Sequence, residues 1–192
     1  MTAGELLAQL ATDPQYQSVR IARDRQLAEI AEQRRQEQEP LLRDLAAAGV
    51  TVDWVGLLLE MPNVDERIYP VLLEHLTKPY DPWLLDWIGR AFGRKTARPI
   101  VWDTLISLIK THVLEEAAAG GVMVALSDMA QPRDLGTMID LLSETSLGSS
   151  RIFLVRNLMR SKRPEARAAL LHHKDDPDLT EEITARLARS RG

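Results

Sequence analysis

Four histidines, two basic clusters and one stripe led by a tryptophan are the places where this 192-residue chain could do chemistry. The run HHKDD, His172–Asp176, carries side chains able to ligate a metal. Adjacent histidines, however, point to different faces of a helix, unlike the i,i+4 pair that a helical zinc site uses. Histidine and lysine near a helix C-terminus are also favoured by the dipole, which accounts for the run without a ligand. His75 and His112 fall near helix ends with no acid or nucleophile partner in the adjacent sequence. No P-loop or glycine-rich dinucleotide fingerprint occurs, and Gly120–Gly121 inside AAAGGVMVAL marks a close helix–helix approach or a kink. The absence of cysteine excludes disulfides, thiolate metal sites and a cysteine nucleophile. The expectation is a chain that is not an enzyme and uses no metal or cofactor.

Residues suited to binding are more plentiful. Arg90, Arg94, Lys95 and Arg98 follow one another with no acid between them, and Arg151–Arg167 holds six basic residues against Glu165 alone. Two readings stay open for them, as solvated linkers or as a positive ridge for an anionic partner. Trp83, Asp86 and Arg90 share one helical stripe, opposite the apolar side of their helix, and combine an aromatic with both signs of charge. Trp54, Trp87 and Trp102 are assigned to the core, because large aromatics usually pack.

The elements that must position these residues read as helices almost throughout. The only strand hint, GVTV at Gly49–Val52, is short enough to be a connector. Thr2 and Glu5 have capping-box spacing before Leu6. A long helix is predicted from Pro14 to about Ala48, stopped by Gly49 and kinked or divided at Pro40. Within it EQRRQEQE, Glu32–Glu39, has no apolar side chain to bury, so this arm is either a solvated cap or a partner-binding coiled coil. Further on, Asn63 and Glu66 have capping-box spacing ahead of Ile68, Val71, Leu72 and Leu76. Pro70 is tolerable there only within the first turns. TKPYDP then reads as a corner, with Asp81 capping and Pro82 opening a second helix through Phe92.

That corner recurs. YPVLLEHL (69–76), WDTLISLI (102–109) and LGTMIDLL (135–142) follow at a spacing of 33 residues, and PEARAALL (164–171) comes 29 residues later. Each precedes a turn and a second helix, predicted over Pro82–Phe92, Val113–Met129, about Ser149–Arg160 and Asp178–Arg189, the last with Asp178 as its cap. Two-helix units of this period indicate an α-solenoid, in which each hairpin buries its apolar face against its neighbours. The units, with PVLLEHL opening one and proline-containing basic linkers such as GRKTARP and MRSKRP leading into the next, resemble HEAT repeats over roughly Gly49 to Arg191. The likeness is closest to short bacterial HEAT-like proteins.

The expected fold is therefore all-α, an α-α superhelix of about four helical hairpins (49–192) preceded by an N-terminal helical arm (1–48). The resemblance implies a protein-binding scaffold whose second helices line a concave groove. Trp83, Asp86 and Arg90 would then contact a protein partner, with Arg156 and Arg160 adding charge farther along. The alternative is a solenoid that binds nucleic acid through its basic linkers. A net charge of −4 and a pI near 5.6 speak against bulk attraction to nucleic acid or an anionic membrane. The N-terminus lacks the pattern of a signal peptide and no run of ~20 apolar residues occurs, so a cytoplasmic protein with no membrane partner is expected.

Overall fold

The structure, a computed structural model, describes residues 2–189 and every side chain among them except those of Glu5, Leu7 and Ala8. It is all-helical, with no strand among the described residues. The order is α1 (Ala3–Thr12), α2 (Pro14–Ala47), the single turn α3 (Leu57–Glu60), α4 (Ile68–His75) and α5 (Pro82–Ala91). There follow α6 (Arg98–Lys110), α7 (Glu116–Met129), α8 (Leu135–Leu142), α9 (Ile152–Arg160), α10 (Pro164–His172) and α11 (Thr180–Arg189). Short 3-10 turns at Pro132–Asp134 and Thr145–Arg151 precede α8 and α9. No described helix is long and apolar enough to cross a membrane.

The chain forms two compact units that divide between Pro40 and Leu41, inside α2. In the first unit, Asp13 starts α2 by accepting the amide protons of Gln15 (2.8 Å) and Tyr16 (3.2 Å), while Pro14 occupies the first helical position. The Thr2–Glu5 capping box lies outside the described side chains. From Gln15 to Gln36 every side chain but Gln17 is exposed. Glu32 there binds Arg35 and Gln36, both at 2.6 Å.

In the second unit, Leu41 and Leu45 at the end of α2 are fully buried. Gly49 stops the helix as expected. At φ 95° it lets its own amide reach Ala46 O (2.9 Å) and that of Val50 reach Leu45 O (2.9 Å), a Schellman ending. The Asn63 cap is a correction, since α4 begins only at Ile68. The turn before it is made by Asp65, which takes both the Arg67 amide (3.0 Å) and its guanidinium (2.7 Å). These bonds hold the Asp65 carboxyl down at about 2. Pro70 falls at the third position of α4, where a missing N–H loses no helical bond. Asp81 and Pro82 stand at the N-cap and first position of α5 as read, although the Asp81 side chain makes no capping hydrogen bond to the helix.

The core runs along α4–α11 through Leu72, Leu84, Ile88, Leu105, Leu126, Leu154 and Leu170. Its most extensive contact is α5 on α7, and glycine is why. A Cβ on Gly121 would stand 2.3 Å from Asp86 O, and one on Gly89 would stand 2.7 Å from Val122 N. Backbone meets backbone, so any side chain at either position forces the helices apart. α7 continues unbroken through Gly120–Gly121, which decides for close approach over a kink. α9 packs on α7, and α11 on α9, while α8 and α10 contact each other and α9. Trp54 is a second correction. Its residue is 36% exposed, with its ring folded over Gly56 and edge-on to Trp87 at 5.0 Å. Trp87 and Trp102 are half-buried against the core.

Candidate functional site

Folding sorts the basic residues into two sets. Arg94 donates its guanidinium to the carbonyls of Leu58 and Met61 and so caps the end of α3. Arg98 pairs with Asp134 (2.8 Å), both largely buried, and lies 3.8 Å over the Trp102 ring. Arg90 binds Asp86 one turn back (2.6 Å) and sits 5.8 Å over Phe153. Arg151, 1% exposed, has the largest set of partners. It donates to Asp176 (2.7 and 3.1 Å), Asp178 (2.9 Å), Gly148 O (2.9 Å) and Leu142 O (3.2 Å). Asp178 is thereby drawn away from its expected capping role, and α11 begins at Thr180.

The remaining set converges. Lys95, from the α5–α6 connection, lies with Arg156, Arg160, Lys162 and Arg163, from α9 and the α9–α10 connection, around one cleft of about 470 Å³. Asp128 is the single carboxylate among its lining residues, and it pairs with Arg156 at 3.1 Å, both side chains about half exposed. Among the described residues no carboxylate comes within ion-pair distance of Lys95, Arg160, Lys162 or Arg163. The floor is apolar, from Leu135, Met138 and Leu158, and no aromatic ring lines it. Its walls are tied together: Ser127 Oγ donates to Phe153 O, and Asn157 Nδ2 donates to Ser127 O, each at 2.8 Å. Rigid walls, an apolar floor and an uncompensated basic rim suit a ligand that is both anionic and partly apolar.

Of the five residues expected to meet a partner, the structure brings Arg156 and Arg160 together here. Trp83, Asp86 and Arg90 lie on α5, outside the cleft lining. Trp83 is half-buried against the core, and Asp86 and Arg90 neutralise each other. The reading of the two basic runs as one positive ridge included Lys95 beside Arg160; what it missed is the apolar floor of Leu135, Met138 and Leu158 and the Asp128 partner of Arg156. No local signal marked either, because floor and carboxylate come from α7, α8 and α9, elements distant from Lys95 along the chain.

The histidines have acquired partners. His75 has no exposed surface. Its Nε2 lies 3.0 Å from Asp44 Oδ2 and 3.0 Å from Lys78 Nζ, and its Nδ1 lies 2.7 Å from Tyr80 Oη. The hydrogen bond from the ring holds the Asp44 carboxyl below its ordinary range. This group joins the end of α2 to the α4–α5 corner. The partner missing from the local sequence lay 31 residues upstream. His112 closes α6 at φ 53°, 3.4 Å from Ser146 Oγ. Ser146 donates to Glu144 at 2.6 Å. A serine nucleophile needs the carboxylate to orient the imidazole, and here it holds the serine. Among the described residues no group of three or more acidic or histidine side chains is placed to hold a metal ion.

His173 is buried beside Asp176 (3.7 Å) and bonded to Ser143 (3.1 Å). Burial, then the neighbouring His172, push its imidazole below the ordinary 6.5, against the opposing pull of Asp176. The unfolded chain therefore takes up this proton first. The corresponding stability is present above about pH 6.5 and is lost as pH falls through it. Urea midpoints should thus drop between pH 7.5 and 5.5 in the parent, with a shallower drop in His173→Gln. An identical slope in both proteins would refute the assignment. Asp176, held low chiefly by Arg151, acts in a separate, more acid window.

No family model, curated protein or solved structure matches this chain.

Proposed function

We propose that the chain is a non-enzymatic binding scaffold, a HEAT-like α-solenoid, whose basic cleft receives an acidic, partly apolar segment of another protein. The observation that carries this reading is the convergence of two sequence-distant basic linkers on one apolar-floored cleft. The solenoid architecture is supported by the succession of contacts α5 to α7 to α9 to α11, with α8 and α10 packed together. An acidic segment with one or two apolar side chains would match both rim and floor.

A nucleic-acid partner is the second reading, favoured by the excess of cations on the rim. Against it stand the net charge of −4 and a cleft with no ring on which a base could stack. The test is fluorescence anisotropy on the full chain with two probe sets of equal charge. One set is acidic peptides with and without interspersed leucine and phenylalanine. The other is single- and double-stranded oligonucleotides. Acidic–apolar peptides should bind best, and Arg156→Glu/Arg160→Glu/Lys162→Glu should weaken them by more than about tenfold. Arg167→Glu, outside the cleft, should not. Tighter binding of oligonucleotides with a steep salt dependence would replace this reading with the second. Loss of neither probe in the triple variant would remove the cleft from consideration.

A further inference from the structure

The balance of charge and space in the basic cleft narrows the chemistry of its ligand. Lys95, Arg160, Lys162 and Arg163 line it with exposed side chains and without a carboxylate partner among the described residues. Arg156 is the fifth cation, held by Asp128 at 3.1 Å. Half-exposed pairs of this kind contribute little, so an incoming anion can displace Asp128.

A space of about 470 Å³ admits only a few side chains of a peptide. Neutralising the four unpaired cations takes four negative charges, while the floor of Leu135, Met138 and Leu158 calls for an apolar group in the same space. Aspartate and glutamate bring one charge per side chain, so a rim met by carboxylates alone leaves no side chain for the floor. A phosphomonoester brings about −1.5 to −2 at pH 7, on three acceptor oxygens of a single side chain. One phosphorylated residue therefore offsets about half of the rim charge and leaves its neighbour free for the floor.

The rim cations suit that group. Arg156 and Arg160 stand four residues apart on α9 and share a face. A planar guanidinium binds phosphate through two parallel N–H donors, and two such forks on one face can hold a single phosphoryl group. A dianion also competes better than a lone carboxylate for Arg156 against Asp128.

We infer that the cleft recognises a phosphorylated side chain, flanked by an apolar residue, in its partner protein. The inference rests on the protein-partner reading of this cleft and adds phosphorylation as the signal that admits the partner.

Fluorescence anisotropy on the full chain tests it with four peptides in one leucine-containing frame. They differ at one site, which holds serine, phosphoserine, glutamate or two successive glutamates. Phosphoserine should bind at least about tenfold tighter than the two glutamates, which spread a similar charge over two side chains. Arg156→Lys/Arg160→Lys keeps the charge but removes the forks. It should erase most of the preference for phosphoserine while the two-glutamate peptide binds within about twofold of its affinity for the parent. That retained binding shows the cleft still folded. Equal affinity of the parent for phosphoserine and two glutamates would overturn the inference and leave the acidic-segment reading standing. Binding of none of the four peptides would remove both. Tighter binding to phosphatidylcholine vesicles containing phosphatidic acid than to the phosphopeptide would overturn it in favour of a lipid headgroup.

Discussion

Replacing Arg151 by methionine should lower the unfolding free energy by about 3–5 kcal/mol, the range for breaking one side of a buried ion pair. The volume is kept, so cavity formation is not the cause. Asp176, 12% exposed at its side chain, loses a bidentate partner, and the carbonyls of Gly148 and Leu142 lose their donor. Asp178, at 42%, remains accessible to water and should contribute little. Urea denaturation followed by circular dichroism measures the loss. Asp176→Asn in the Arg151→Met background should recover part of it, because an uncompensated carboxylate is removed. A loss under about 1 kcal/mol would mean that the buried network does not hold the 3-10 turn before α9 to the turn before α11.

The second large effect is Leu105→Ala, expected to cost about 2–5 kcal/mol. Leu105 is fully buried on α6, flanked a turn away on either side by Val101 and Ile109, both buried as well. Truncation removes its transfer free energy and leaves a cavity that close-packed neighbours fill only partly. The paired control is Arg34→Ala on the exposed arm, expected to stay within about 0.5 kcal/mol. Equal urea midpoints in the two variants would contradict the assignment of Leu105 to the core.

The helices were legible because their signals are local. Gly49, Asp81–Pro82 and the apolar spacing of Leu84, Leu85 and Ile88 each act within a turn or two, where chain connectivity already holds the partners together. Where a capping residue had a competitor, local reading failed. Asn63 lost the turn to Asp65, whose carboxylate also binds the Arg67 guanidinium. Asp178 gave up its cap for Arg151, 27 residues away. Trp54 was assigned to the core on residue type alone, yet it packs on Trp87 with a third of its surface in water.

The sequence by itself determined that the chain is helical almost throughout, that α2 stops at Gly49 and α5 opens at Pro82, and that two basic runs stand in proline-containing linkers, but not α3 or the starts of α4 and α11. Only the tertiary structure decided which charges remain available. Arg90, Arg94, Lys95, Arg98 and Arg151 look alike along the chain. Four of them meet a carboxylate, carbonyl or ring supplied by another turn or element, and Lys95 meets the cations of the α9–α10 linker instead. A charge is free or spent according to the oxygens that lie within a few ångströms of it. Arg90 is the pairing that helical spacing encodes, since Asp86 lies four residues back on the same helix; Arg94, Arg98 and Arg151 take oxygens from elements that pack alongside, a matter of three-dimensional proximity.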